Sequence, residues 1–177
     1  MKDTILVIGS SGQIGTELVM KLHEMYGNNH VVASDIRPSS EEVMQSGPFE
    51  ELDIMNEDGL HKIVKKHNLK HFVHISALGI NDALDSQYAK SKLEGENNIL
   101  INFSKSTILR PSVVFSNSDN FSTQFMTLLR RLPVFPLYYS GKTKFMPIHA
   151  TDLTNVIYHV LSNKIETQVV ECVGPEV

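Results

Sequence analysis

The sequence predicts an α/β domain in which a doubly wound, mostly parallel β-sheet is covered by helices on both faces. Two observations lead to this prediction. Short runs of β-branched and apolar residues alternate along the chain with stretches whose apolar residues recur every three or four positions. The first run, residues 5–8, also leads directly into a glycine-rich turn and then into a helical stretch. Strands that alternate with helices are joined by right-handed crossovers, so they run parallel.

The individual elements follow from the same patterns. Apolar runs bounded by glycine, proline or polar residues predict strands at 5–8, 31–33, 49–54, 71–77, 107–109 and 168–173. Apolar stripes at helical spacing predict helices at 15–26, 57–68, 86–103, 121–132 and 152–161. Asn56 is the expected N-cap of the second helix, and Gly27 ends the first. We expect a loop at 38–40 and a short extended piece between Pro133 and Pro136.

Composition excludes several classes of protein. The 177 residues suit one domain, and 41% apolar with 20% charged residues is typical of globular proteins. A net charge of −4 argues against nucleic-acid binding. The single cysteine excludes an intramolecular disulfide, and the eight histidines lack metal-ligand spacing, so we expect no metal. No apolar run approaches the roughly 20 residues of a membrane span, and no secretory signal is present, so we expect a cytoplasmic protein.

Residues 9–15, Gly-Ser-Ser-Gly-Gln-Ile-Gly, join the first strand to the first helix. Glycines at positions 9, 12 and 15 permit a tight turn and let a pyrophosphate approach the backbone closely. The free N–H groups and the positive dipole end of the helix then face the phosphates. A purely structural turn is the alternative, but the strand before and the helix after the loop favour a dinucleotide site and a Rossmann-like fold.

Two acidic residues at strand ends extend this site. Asp35 lies 20 residues after Gly15 and is predicted to hydrogen-bond both hydroxyls of the adenosine ribose of NAD. It would repel the 2′-phosphate of NADP, so NADP is the less favoured cofactor, although Arg37 lies close enough to weaken that preference. Asp53 is positioned either to reach the adenine amino group or to be an ordinary solvated carboxylate.

Tyr88 and Lys92 lie four residues apart on one predicted helix, so their side chains share a face. A phenol has an ordinary pKa of about 10 and is a poor base at neutral pH, but a nearby ammonium group favours the phenolate. Such a pair can move a proton at a substrate oxygen while hydride moves at the nicotinamide. Ser76, at the end of the preceding strand, is predicted to hydrogen-bond that oxygen. An exposed helix-surface pair is the alternative.

These motifs resemble the extended short-chain dehydrogenase/reductase superfamily, whose cofactor loop matches residues 9–15 and whose catalytic pair matches Tyr88 and Lys92. Residues 1–70 look like bacterial-type L-threonine 3-dehydrogenase, on stretches 5–18, 33–37, 46–50 and 63–68. Residues 71–177 look like the dehydrogenase-like accessory subunit of respiratory complex I, on stretches 72–79, 88–96, 108–115, 141–148 and 171–177.

The resemblance implies roles for particular residues. The pyrophosphate would be held by Gly9, Gly12, Gln13, Ile14 and Gly15. Asp35 would hold the adenosine ribose, and the adenine would be bordered by Asp53 and Ile54. Tyr88 and Lys92 would meet the nicotinamide ribose, with Pro111 near the carboxamide. A homodimer, or a partner at a respiratory membrane on its cytoplasmic or matrix side, is also implied for such relatives.

The chain departs from this superfamily in its length. About one strand–helix unit is missing before the serine-bearing strand, and residues 133–177 include only remnants of a truncated substrate lobe within a single domain of residues 1–177. Three functions therefore stay open: a dehydrogenase or epimerase that acts on a small molecule, a non-catalytic nucleotide-binding module, and an inactive shortened chimera.

Overall fold

The computed structural model describes residues 4–83, 85–116, 126–127, 129–131, 145–166 and 168–175. Within this part of the chain it is an α/β structure with parallel sheets and helices, which confirms the predicted fold class. The predicted extended piece between Pro133 and Pro136 and most of the helix predicted at 121–132 lie outside the described residues.

The strands are β1 (Ile5–Ile8), β2 (Val31–Asp35), β3 (Phe49–Glu51), β4 (Phe72–Ile75), β5 (Ser106–Pro111), β6 (Val114–Phe115), β7 (Ile148–His149) and β8 (Gln168–Cys172). The helices are α1 (Gln13–Tyr26), α2 (Glu41–Ser46), α3 (Glu57–His67), α4 (Gln87–Asn102) and α5 (Ala150–Ser162). Asn56 caps α3 as predicted, since its Oδ1 accepts a 3.1 Å hydrogen bond from the Gly59 N–H.

The strands form two three-stranded parallel sheets, β1-β2-β3 and β4-β5-β8, and the pair β6-β7. In the described part of the chain, β1 does not pair with β4, so the one continuous sheet that the sequence predicts is interrupted there. Only residues 68–71 separate α3 from β4. This short connection leaves no strand between them that could pair with the free edges of β1 and β4.

Helix packing joins the two sheets instead. Leu18 of α1 and Leu161 of α5 each pack against both buried apolar clusters, one beneath β1 and β2 and one beneath β5 and β8. The rings of Tyr26 and Tyr158 meet edge to face with centroids 6.0 Å apart, and the Tyr26 hydroxyl contacts Ser162 at 3.1 Å. The contact between α1 and α5 therefore sets the position of the first sheet against the second.

One α-helix of the described residues was not predicted. The short helix α2 follows the expected loop at 38–40 and has a sequence signal that was overlooked. Ser40 is its N-cap and accepts a 3.4 Å hydrogen bond from the Val43 N–H, and Glu41 and Glu42 occupy the first turn, where acidic groups are stabilised.

Candidate functional site

The glycine-rich loop has the geometry that a phosphate cradle requires. Gly9 has φ of +82°, which side-chain-bearing residues rarely adopt, and its N–H donates to the Ser34 carbonyl at 2.9 Å. A Cβ at Gly15 would collide with the Gly9 carbonyl oxygen and the Ser10 backbone. The loop is thus folded tightly against the start of α1, in a form that only glycine at position 15 allows.

The N-terminus of α1 is open toward this loop. Gly12 is its N-cap residue and provides no side-chain cap, so the first N–H groups of the helix, beginning with Gln13 and Ile14, have no side-chain acceptor at this position. The Gln13 side chain points to the other half of the molecule, where its Nε2 donates to the Ser116 Oγ at 3.1 Å. Backbone donors and a helix dipole are together suited to a diphosphate.

Asp35 ends β2 beside this loop. Its Oδ2 accepts a 3.0 Å hydrogen bond from the Ser11 N–H, and its Oδ1 accepts one of 2.8 Å from the Ile36 N–H. Burial raises the pKa of Asp35, but these N–H groups and that of Arg37 outweigh burial and hold the pKa below its ordinary value. The carboxylate is therefore charged and oriented next to the loop.

The two residues expected at the adenine are less organised. Asp53 uses its Oδ1 to accept a 2.9 Å hydrogen bond from the Met55 N–H, so it stabilises its own turn. Ile54 is 58% exposed, and its neighbour Met55 is 85% exposed. An adenine ring would cover apolar surface here, but the described contacts of Asp53 are those of a turn residue.

The structure brings Tyr88 and Lys92 together. The Lys92 Nζ lies 5.9 Å from the centre of the Tyr88 ring and donates a 3.3 Å hydrogen bond to the Ile75 carbonyl at the end of β4. Tyr88 itself is 59% exposed. Ser86 caps the helix by accepting a 3.4 Å hydrogen bond from the Ala89 N–H, which fixes where α4 begins.

Tyr88 lies on the wall of a cavity of about 420 Å³. The cavity is formed by the ends of β4 and β5 and by the chain before β7, and Pro111, expected near a nicotinamide carboxamide, also lines it. Among the described residues on its wall none is charged, and the side-chain polar groups are those of Tyr88 and Ser112. Phe145 and Met146 add apolar surface. Such a cavity suits an apolar ring and a small polar group.

Ser76 is close to this cavity, but its side chain is not part of the wall. The residue is 4% exposed, and its Oγ has no hydrogen-bond partner among the described residues. Since successive side chains of an extended segment point to opposite sides, the next residue, Ala77, lines the cavity instead. The predicted contact of Ser76 with a reacting oxygen stays a prediction.

A buried ion pair behind the cavity was missed by sequence reasoning. Glu96 of α4 accepts hydrogen bonds from the Arg110 Nε at 2.9 Å and Nη2 at 2.6 Å. Burial raises the pKa of Glu96, but these bonds and the charge of Arg110 outweigh it, so the pKa lies below its ordinary value. The Ser76 hydroxyl also contributes to the lowering, although its geometry falls short of a hydrogen bond. The sequence did offer one signal for this pair: Glu96 lies four residues after Lys92, so it is on the same face of the helix as the candidate catalytic pair.

Other kinds of site find no support in the described residues. No group of three or more His, Cys, Asp or Glu residues is arranged to hold a metal ion there, and Cys172 is buried, which raises the pKa of its thiol. None of the helices in the described part of the chain is long and apolar enough to cross a membrane.

Comparison with family models gives two matches. The model described as the NAD dependent epimerase/dehydratase family matches residues 5–107. The model described as the RmlD substrate binding domain matches residues 81–173. The first match contains the glycine loop, Asp35, Tyr88 and Lys92, and the second contains the part of the cavity wall from Tyr88 to Met146.

Curated relatives cover a limited part of the chain. An uncharacterized epimerase/dehydratase of Staphylococcus haemolyticus (strain JCSC1435) is 43% identical over 77 residues, which is 43% of this chain and 24% of the relative. One of Staphylococcus aureus (strain USA300) is 43% identical over 75 residues, 42% of this chain and 23% of the relative. The matched segment thus spans about a quarter of each relative's length.

Solved structures share the fold over nearly the whole chain. A dTDP-glucose 4,6-dehydratase from Bacillus anthracis str. Ames, in complex with NAD, has a TM-score of 0.73 at 16% identity and covers 99% of this chain and 76% of its own. A UDP-glucose 4-epimerase from Brucella ovis, also in complex with NAD, has a TM-score of 0.68 at 16% identity and covers 97% and 78%. At 16% sequence identity, these similarities show a shared fold and nothing further.

Proposed function

Because the chain belongs to the NAD-dependent epimerase/dehydratase family, we propose that it binds NAD(H) across the glycine loop and the cavity and uses it in hydride-transfer chemistry on a small molecule. One observation above all supports the proposal. The loop that only a glycine at position 15 allows and the Tyr88–Lys92 pair lie at the carboxyl ends of parallel strands, where such folds bind their ligands.

The residues present fit this cofactor. Gly9, Gly12 and the first N–H groups of α1 at Gln13, Ile14 and Gly15 would hold the pyrophosphate. Asp35 would accept hydrogen bonds from the adenosine ribose, which favours NAD over NADP. Asp53 and Ile54 would border the adenine, and Pro111 would lie against the nicotinamide carboxamide. The cofactor would supply hydride exchange at C4 of its nicotinamide.

The chain's own groups would then handle the proton. Tyr88 donates a proton to, or accepts one from, a substrate oxygen at its hydroxyl, and Lys92 favours the phenolate form and contacts the nicotinamide ribose. Ser76 belongs to the proposal as the group that polarises the oxygen. Its hydroxyl must turn from its buried position toward the cavity to do so, and Ser76→Ala tests that role through turnover at unchanged cofactor affinity.

The test is a screen of alcohols with NAD and of carbonyl compounds with NADH. Turnover is measured from the absorbance of NADH, and product analysis detects epimerisation. Turnover that Tyr88→Phe abolishes supports the proposal. Equal turnover by the wild type and by Tyr88→Phe would contradict the assigned chemistry.

A second function is favoured by the composition of the cavity wall. Ala77 lines the space beside Tyr88 and the Ser76 hydroxyl does not, so the wall lacks the serine donor that the proposed mechanism assigns to residue 76. A non-catalytic nucleotide-binding module, the alternative that the sequence left open, would need no such donor. It predicts tight NADH binding without turnover, whereas the enzyme predicts both.

A further inference from the structure

The helix that carries Tyr88 and Lys92 has few buried residues, and its apolar Leu93 and Ile99 are only half-buried. Of the 16 residues of α4, only Ala89 and Glu96 are buried. Ala89 has a small side chain that allows the helix to approach closely but fills little space, and Ile101 near the helix end is 80% exposed. Apolar packing therefore does little to fix the position of α4 along its own axis.

The Glu96–Arg110 ion pair fixes the position of α4 relative to β5. Both side chains are almost inaccessible, with 4% exposure for Glu96 and 13% for Arg110. The two parallel hydrogen bonds, 2.9 Å and 2.6 Å long, restrict both the distance and the angle between a residue of α4 and a residue of β5. The cost of desolvation offsets much of the attraction within a buried ion pair, so the geometric restriction from the two hydrogen bonds is the larger consequence of this one.

Lys92 is the residue whose position the Glu96–Arg110 ion pair would fix. It lies one helical turn before Glu96 on the same face of α4. Its ammonium group reaches the Ile75 carbonyl at 3.3 Å, so the helix has little freedom to slide before this contact is lost. His74, which precedes Ile75 in β4, is close enough to Lys92 and to Glu96 for the charges of both residues to affect its pKa.

We propose that Glu96 and Arg110 are positioning residues that hold Lys92 at the carboxyl end of β4, where its ammonium group meets the nicotinamide half of a bound dinucleotide. The inference rests on the proposed function, because it takes NAD(H) as the ligand and Lys92 as a contact of its nicotinamide ribose. It adds that the Glu96–Arg110 ion pair strengthens binding of the nicotinamide half of the dinucleotide and does not affect binding of the adenosine diphosphate half.

Binding of NADH and of ADP, measured by titration calorimetry, separates the two halves. ADP has the adenosine and the diphosphate but lacks the nicotinamide riboside. Lys92→Ala removes a charge-assisted contact and should reduce the preference for NADH over ADP by about 10- to 100-fold. Glu96→Gln should reduce the same preference by about tenfold, with ADP affinity unchanged. Glu24→Gln, which breaks the exposed Lys21–Glu24 pair, is the matched control and should change neither affinity.

Glu96→Gln leaves the charge of Arg110 without its partner, so it should also melt earlier than the wild type. The double variant Glu96→Leu with Arg110→Met replaces the pair by apolar side chains and should regain the wild-type melting temperature. Because it lacks the fixed geometry of the ion pair, we expect its preference for NADH over ADP to stay reduced. A double variant that regains both the melting temperature and the preference would overturn the inference, since the pair would then act through stability alone.

The remaining outcomes separate the inference from the proposed function. If Lys92→Ala reduces the preference and Glu96→Gln does not, the positioning role is wrong while the proposed function stands. If Lys92→Ala does not change the preference, the contact assigned to Lys92 is wrong, and the inference fails with it. If neither NADH nor ADP binds the wild type, both the proposed function and the inference are overturned.

Discussion

The ammonium group of Lys92 lies 5.9 Å from the centre of the Tyr88 ring while it is hydrogen-bonded to the end of β4. A cation at this distance is attracted by the aromatic ring. The Tyr88 ring lies on the wall of the largely apolar cavity, whereas Lys92 is not among the residues that line it.

Replacement of Tyr88 by Phe should remove the proton donor and keep the ring beside Lys92. We expect turnover to fall about 10²- to 10⁴-fold with NADH affinity nearly unchanged, as measured by initial rates and calorimetry. Tyr26→Phe is the matched control, because its ring packs between α1 and α5, and it should leave turnover unchanged. A rate loss of the same size in both variants would point to a general effect on the fold.

Replacement of Gly15 by Ala should damage the phosphate cradle. The added Cβ collides with the backbone of Gly9 and Ser10, so the loop must open. We expect a loss of about 1–3 kcal/mol in the free energy of unfolding and at least about tenfold weaker NADH binding. Gly95→Ala, inside α4 where a Cβ meets nothing within 4 Å, should instead stabilise the protein by about 0.5–1 kcal/mol and leave NADH binding unchanged.

Much of this fold could be predicted from the sequence, because strand runs, helical stripes and caps such as Asn56 are local signals. The interruption between β1 and β4 could not, since pairing depends on which strand edges meet in space. The orientation of Ser76 likewise depends on where β4 ends, and the sequence extends that strand two residues beyond Ile75. Glu96 and Arg110 belong to different elements, and no periodicity relates them.

Asp35→Asn should change the choice between cofactors. The amide keeps the size of the side chain but removes the charge that repels a 2′-phosphate. We expect NADH to bind about tenfold more weakly and NADPH to bind more tightly than in the wild type, as measured by titration with each dinucleotide. Asp58→Asn in the first turn of α3 is the control and should alter neither affinity. Unchanged discrimination in Asp35→Asn would show that this carboxylate does not contact the ribose.

The melting temperature should fall in two separate pH ranges as the solution is acidified, the first because of His74 and the second because of Glu96. Burial, together with the charge of Lys92, lowers the pKa of His74, so the unfolded chain takes up a proton below about pH 6.5 while the folded chain resists it. Stability is therefore lost as the pH falls from about 6.5 toward the lower pKa of the folded state. Burial raises the pKa of Glu96, but Arg110 outweighs burial and holds that pKa below its ordinary value. The ionised Glu96 therefore contributes stability above about pH 4.5, and this stability is lost as the pH falls through the pKa of Glu96 in the folded state.

Melting curves recorded from neutral to acidic pH check these signs. His74→Gln should reduce the loss of melting temperature in the first pH range and leave the second unchanged, because, of these two groups, only His74 has an ordinary pKa near 6.5. Glu96→Gln should reduce the loss in the second pH range. A wild-type melting temperature that rises between neutral pH and pH 5 would contradict the lowered pKa assigned to the half-buried His74.

A thermal melt of the wild type without ligand, with NADH and with NADPH decides whether the glycine loop and Asp35 hold NAD. At about 100 times its Kd a ligand adds about 2.7 kcal/mol to the free energy of unfolding. For a chain of this length that corresponds to a rise of about 5–10 °C in the melting temperature. We predict this rise with NADH and a smaller one with NADPH. A cooperative melt that neither dinucleotide shifts would contradict cofactor binding at this site.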